Sequence, residues 1–259
     1  MLEELYAGSL QDADAREALV SAAQLERIAL EMPPALDALK FLSPGSSVKI
    51  LAEVKRASPS KGELATIPDP ATLAETYANH GASAISVLTE ERRFKGSLLD
   101  FDAVRARVSI PLLRKDFLAT EYQILEARAH GADIVLLIVA GLDYKTLTRL
   151  KRFAEELGMT AFIETHSADE VKMALDAGSL LVGVNARDLS TFETNRDLFG
   201  ELVHLFPSDV IKVAESAVRT AEDVAHYRQA GADVVLVGEA LVTNDPAAML
   251  ESFLYSESV

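Results

Sequence analysis

An apolar stretch, KILAEVK, closes on two opposite charges, Glu53 and Lys55, before the polar run RASPSKG begins. In an extended strand residues two apart share a face, so both side chains project the same way. A lone pair of this kind reads as a structural ion pair, because ionised groups on the inner face of a sheet are costly unless paired or at work. Three further apolar runs end alike: PLLRKDF at Lys115, AFIE at Glu164 and LLVGVN at Asn185. Four charged or amide-tipped strand ends point to one shared pocket. Two lysines and two glutamates there offer general acids and bases, since close neighbours and partial burial move their pKa values toward neutrality. Arg187, two residues past Asn185, adds a cation suited to a carboxylate or a phosphate.

These residues are far apart in sequence, and the elements that must bring them together recur. A helical stretch, then Gly-Ala or Gly-Ser, then a short apolar run appears as HGASAISVLTE, HGADIVLLIVA, AGSLLVGVN and AGADVVLVGEA, with glycines at 81, 131, 178 and 231. Intervals of 50, 47 and 53 residues are too long for one strand–helix unit and suit two. KILAEVK, IPLLRKD, MTAFIE and VIKVAES lie between them, which makes eight strands, Val/Ile/Leu-rich and rarely alternating, as buried parallel strands are. The segments between carry helix-end signals. SADEVKMALDAG has Ser167 as cap, Glu170 three residues on and Gly178 at the exit; TAEDVAHYRQAG repeats this with Thr220, Asp223 and Gly231. Asp69-Pro70 and Asp245-Pro246 open two more helices, and Leu147, Leu150, Ala154 and Leu157 form a core-facing stripe.

Eight alternations predict an α/β fold, a (β/α)8 TIM barrel, with a six-to-eight-stranded open sheet as the alternative. Residues 1–259 read as a single barrel domain. Within it residues 1–46 form an N-terminal helical extension, one helix of which carries Leu25, Ile28, Ala29 and Met32 and ends near Pro33-Pro34. In such a barrel Glu53, Lys55, Lys115, Glu164, Asn185 and Ser216 all fall at the C-terminal rim, where active sites form. The turns AESAV and LVGEAL follow the last two strands, where barrels often hold phosphate on backbone N–H groups.

Composition excludes several classes. A chain of 259 residues, 49% hydrophobic and 25% charged, can bury a full core. No apolar run approaches the ~18–20 residues of a membrane span, and the acidic start MLEELYAGSLQDADAREAL is unlike a signal peptide, so a cytoplasmic location is expected. With no cysteine there are no disulfides, thiolate metal sites or cysteine nucleophiles. A net charge of −15 argues against nucleic acid and anionic membrane as partners, while a small anion could bind where cations gather. His80 and His130 read as helix C-terminal residues. His166 lacks a third ligand for zinc. The Arg92-Arg93 pair reads as a solvated loop.

The motifs LAEVKRASPSKG, ISVLTEERRFKGSLLD, PLLRKDF, YQILEARAHGAD, VGVNARDLSTFE, AES and LVGEAL, in this order and spacing, resemble the indole-3-glycerol-phosphate synthase family from about residue 5 to about residue 253. The resemblance implies a carbon–carbon lyase of tryptophan biosynthesis that closes a ring, decarboxylates and dehydrates 1-(2-carboxyphenylamino)-1-deoxyribulose 5-phosphate to indole-3-glycerol phosphate. It implies no metal and no organic cofactor, a phosphorylated small-molecule substrate, and a monomer that could associate with neighbouring enzymes of the pathway. Carried over, Lys115 is the acid that protonates the ketone oxygen as the aromatic carbon attacks. Lys55 and Glu53 assist the dehydration, Glu164 is a general base or stabilises the iminium-like charge, and Asn185 orients hydroxyls. Phe117 and Arg187 belong to the substrate site, and Ser58, Ser216, Ala217, Gly238 and Glu239 lie about the phosphate. Ser58 to Gly62, with the N-terminal helices, should cover the substrate.

The chain departs from the family pattern in three places. Ala217 stands for a glycine, Ala186 for a frequent asparagine and Ala240 for a serine; alanine at 217 resists φ > 0, which implies a slightly different phosphate turn. Two other readings compete. The related phosphoribosylanthranilate isomerase resembles a family with a cysteine base, which this chain lacks. A non-catalytic phosphate-binding barrel or scaffold would have lost a charge at 55, 115 or 164, and all three are present.

Overall fold

Eight short strands carry the apolar runs: β1 Lys49–Val54, β2 Ala84–Leu88, β3 Leu112–Lys115, β4 Ile134–Ile138, β5 Thr160–Thr165, β6 Leu181–Asn185, β7 Ile211–Glu215 and β8 Val234–Val237. Each pairs in parallel with the next, and β8 returns to β1 with Val234 opposite Lys49 and Val237 opposite Ala52. The sheet therefore closes into a barrel, and the open-sheet alternative is discarded. This computed structural model describes residues 1–188, 191 and 193–255. Leu189, Ser190 and Phe192 of the VGVNARDLSTFE motif, and residues 256–259 of the expected domain, lie outside the described residues. Among the described residues no helix is long and apolar enough to cross a membrane.

Where the recurring phrase reads Gly-Ala-Asp, at 131–133 and 231–233, its aspartate has a structural cause at the barrel's N-terminal face. Asp133 accepts the N–H of Leu112 at 2.8 Å, and Asp233 accepts that of Lys212 at 2.9 Å. Each aspartate thus ties the start of its strand to the preceding one, satisfying a backbone donor that the ladder leaves over. The helix-end signals are realised with one change. Asp69 accepts from the Thr72 N–H, and Thr220 with Asp223 completes a reciprocal capping box. Ser167 accepts from the Glu170 N–H, but the Glu170 carboxylate turns instead to the backbone N–H of His166, 2.8 Å away. His80 and His130 are helix C-caps, as read.

Before the barrel come α1 Leu2–Glu17, α2 Ala22–Glu31 and the short α3 Ala38–Phe41. Alternation along β3 puts Lys115 into the barrel mouth and Arg114 on its outer face, wholly buried. Arg114 donates to Glu126 at 2.9 Å and to the Gln123 carbonyl at 3.1 Å, and pairs with Asp116 at 3.3 Å. The same groups hold α1: Arg16 is bidentate on Glu126 at 2.7 and 2.9 Å, and Ser9 donates to Asp116 at 3.1 Å. Arg92 lies exposed in its loop, as expected, but its guanidinium also forks onto Asp12 of α1 at 2.6 and 2.9 Å. The N-terminal extension is thus bolted to the strand that carries Lys115.

Candidate active site

The twelve residues singled out from the sequence line one cavity of about 400 Å³ at the C-terminal ends of the strands. Its centre is Lys115. The ammonium stands 2.8 Å from Glu215, 3.6 Å from Glu164 and 3.8 Å from Glu53, while Lys55 pairs with Glu53 at 2.6 Å. Burial alone would push Lys115 down, but the carboxylates of Glu215, Glu164 and Glu53 outweigh it and raise its pKa. Lys115 is therefore fully charged at neutral pH, moved away from neutrality rather than toward it as the sequence suggested, because its neighbours are carboxylates.

Glu215 is the residue the sequence reading passed over. It closes IKVAE as Glu164 closes AFIE, so the strand-end signal was there. Its Oε2 accepts from Lys115, whereas Oε1 is buried with no hydrogen-bond partner. Burial, with the neighbouring Glu164 charge, pushes its carboxyl up against the pull of Lys115. Glu164 goes the other way. Burial would raise it, but the Lys115 ammonium, His166 and the amide of Asn185 hold it below the usual carboxylate range. Two buried carboxyls on one lysine thus titrate apart because Glu164 has Lys115, His166 and Asn185 to stabilise its charge, while Glu215 lies buried against the charge of Glu164 itself.

Asn185 is the hub of the far wall. Its Nδ2 donates to Glu164 at 3.0 Å, and its Oδ1 accepts from Ser216 Oγ at 2.8 Å and from the Arg187 N–H at 3.0 Å. Arg187 reaches Ser60 Oγ at 3.1 Å. Phe117 stacks edge-on against Tyr6 of α1, with ring centres 5.6 Å apart, and with Phe94, Leu136 and Ile138 forms an apolar wall. Ser58 lines the loop after β1, whose Lys61 pairs with Glu239 beyond β8. A Cβ on Gly238 would strike the Glu53 carboxylate, so that glycine makes room for the Glu53–Lys55 pair. A Cβ on Gly183 would likewise strike Glu215 Oε1 and the Phe162 ring. Six Lys/Arg and six Asp/Glu line the cavity, formally balanced among the described residues in a chain of net charge −15. Cations therefore do gather here relative to the rest of the protein.

The turn after β7 resolves the Ala217 departure. Ser216 and Ala217 both adopt left-handed backbone, φ 69° and 58°, so alanine takes the glycine-like conformation that its Cβ resists. The Ser216 hydroxyl on Asn185 and the Ser216 carbonyl, which accepts from Tyr227 at 3.2 Å, hold the turn in place. A non-glycine residue in this region costs about 1–2 kcal/mol. Ala217→Gly is therefore expected to stabilise the protein by about 1 kcal/mol, read as a rise of about 2–4 °C in Tm. An unchanged or lower Tm would show that the turn is not strained. Ala186 is buried and bonded through its backbone to Glu215 and Asn195, and Ala240 is buried.

Fold and rim define a (β/α)8 barrel of the kind that processes a small molecule, with acid–base groups from four strands and the Asn185 amide from a fifth meeting at its C-terminal mouth. The family model for indole-3-glycerol phosphate synthase matches residues 2–253, and the chain belongs to this family. It is 60% identical over 253 residues to the indole-3-glycerol phosphate synthase of Leifsonia xyli subsp. xyli, covering 98% of this chain and 97% of that one. Against that of Rhodococcus jostii the identity is 54% over 248 residues, 95% and 91% of the two chains. Among solved structures, 3-hexulose-6-phosphate synthase from Salmonella typhimurium superposes with a TM-score of 0.63 at 16% identity, over 81% of this chain and 98% of that one. At that identity the likeness shows the shared barrel alone.

Proposed function

We propose that the protein is a carboxy-lyase converting 1-(2-carboxyphenylamino)-1-deoxyribulose 5-phosphate to indole-3-glycerol phosphate, carbon dioxide and water. The observation that carries the reading is a charged lysine standing in the cavity within 4 Å of carboxylates from β1, β5 and β7. Ring closure needs a proton donor at the ketone oxygen, where an alkoxide would otherwise develop, and Lys115 supplies it. The apolar wall of Phe117 and Phe94 suits the substrate's aromatic ring. N–H groups of the Ser216–Ala217 and Gly238–Glu239 turns, with Ser58 nearby, suit its phosphate. Lys55 and Glu53, held together beside Gly238, assist loss of the hydroxyl as water. Glu164, ionised between Lys115 and Asn185, takes the ring-proton or steadies the iminium charge. Asn185 orients hydroxyls, and Arg187 supports the anionic groups.

Residues 1–46 and the barrel are read as one working unit, because α1 is pinned on both sides of Lys115's strand. A cytoplasmic monomer, free to associate with neighbouring pathway enzymes, fits the same reading. The acid–base assignment is tested by Glu164→Gln, which keeps the shape and the Asn185 contact while removing the charge. Turnover is expected to fall at least about tenfold with normal melting, the low end of what a lost acid–base group costs. Unchanged kcat would remove Glu164 from the chemistry.

A further inference from the structure

The proposed reaction, on which this inference rests, does not balance in protons. The substrate's carboxylate leaves as neutral carbon dioxide, and its ketone oxygen leaves as water after receiving two protons. One proton returns when the neighbouring carbon loses a hydrogen as the ring becomes aromatic. Each turnover therefore consumes one proton from outside the substrate. Lys115 gives up the first of these under a bound ligand, and its three carboxylate neighbours are almost wholly buried.

Behind Glu164, outside the set of residues that line the cavity, stands His166. Its Nε2 lies 3.3 Å from Glu164 Oε1, on the oxygen other than the one facing Lys115. That nitrogen is buried and has no hydrogen-bond partner at rest. Its Nδ1 lies 3.2 Å from Glu170 Oε2, which also accepts the His166 backbone N–H and so fixes the ring. Side-chain exposure falls along this row from 21% at Glu170 to 13% at His166 and 3% at Glu164. The charged groups facing the ring are Glu164 from β5 and Glu170 from helix Ala168–Asp176, both acidic.

We propose that His166 holds the proton that makes up this deficit and delivers it through Glu164 to Lys115. While Lys115 is charged, Glu164 stays ionised. Once Lys115 has given its proton to the substrate oxygen, Glu164 loses the ammonium that held it down and becomes receptive. The Nε2–H bond of His166 then breaks as the Glu164 Oε1–H bond forms; the carboxyl turns to present that oxygen to Lys115, and the Oε1–H bond breaks as the amine takes the proton. The ring is left neutral with its remaining proton on Nδ1, facing Glu170, and regains a proton at the buried Nε2 by way of Glu164, which lines the cavity, once product has left and water re-enters. Burial alone would keep the ring neutral, but the two flanking carboxylates raise its pKa to about 10, so the store is filled at neutral pH. His166 touches no substrate in this scheme; it is a positioning and proton-supplying residue.

The test is His166→Gln, which keeps a polar side chain behind Glu164 and abolishes the exchangeable proton. Expected is a fall in kcat of about ten- to a hundredfold with KM little changed. In the variant, but not in the parent, kcat should rise with imidazole buffer concentration and show an enlarged solvent deuterium isotope effect. Glu170→Gln removes one of the two carboxylates that keep the ring cationic, so the basic limb of its pH–kcat profile should move to lower pH. Wild-type kcat in His166→Gln, or a loss without buffer rescue or isotope change, overturns the proton-store role. If the parent turns the substrate over while His166→Gln matches it, only this inference fails; if the parent is inert, the proposed function fails first.

Discussion

Lys115→Met is expected to lower kcat by about two orders of magnitude or more while substrate binding weakens only modestly. General acid catalysis is typically worth ~10²–10⁴-fold, or about 3–5 kcal/mol of barrier, and methionine keeps the length and apolar stem of the side chain while deleting the donor. Removing the ammonium also leaves Glu53, Glu164 and Glu215 crowded without their shared cation. Some of those carboxyls will take up protons instead, so the melting temperature should be checked alongside kcat. Lys115→Arg should not restore turnover, because its planar fork cannot place a donor where the compact ammonium stands among the three carboxylates. A Met variant that retains more than about a tenth of the parent kcat would point to a lost contact rather than a lost acid, and the assigned role of Lys115 would be wrong.

The largest stability effect is expected one residue earlier, on the opposite face of the same strand. Arg114→Leu leaves the Glu126 and Asp116 carboxylates buried without the guanidinium that lies between them. Breaking a buried pair in this way costs about 3–5 kcal/mol, far more than the ~0–1 kcal/mol of a surface pair. The loss should appear as a lower Tm and a lower urea midpoint. Arg16 also holds Glu126 but is partly exposed, so Arg16→Leu should cost clearly less. Equal losses in the two variants, or a loss below about 1 kcal/mol for Arg114→Leu, would show that this network does not anchor α1 to β3.

The barrel was legible because eight buried parallel strands leave an unmistakable apolar rhythm, with a glycine at the helix exit of every second unit, at 81, 131, 178 and 231. The rim was legible for a related reason. A charge at the end of an apolar run has nowhere to go but the strand's C-terminal end, so Glu53, Lys55, Lys115, Glu164 and Asn185 could be placed in one pocket before any geometry was known. Glu215 carries the same signature and was passed over in favour of the serine beside it. What the chain does not display is pairing across distance. Arg114 meets Glu126 and Asp116, and Arg92 meets Asp12 some 80 residues away; no local pattern distinguishes such a clamp from a solvated charge. Ala217 shows the limit of propensity. Its preference against φ > 0 is real, yet Asn185 and Tyr227 hold the preceding Ser216 firmly enough that the turn keeps its left-handed form. Glu170 shows another limit, since a residue at a capping-box position orients His166 instead.

The most direct measurement is to incubate the purified protein with 1-(2-carboxyphenylamino)-1-deoxyribulose 5-phosphate and follow indole fluorescence, against a low background because the chain has no tryptophan. The expected result is full conversion to indole-3-glycerol phosphate, with the rate reduced about a hundredfold or more in Lys115→Met. No indole signal from the folded protein, or the same rate in parent and Lys115→Met, would contradict the proposed function and its central residue.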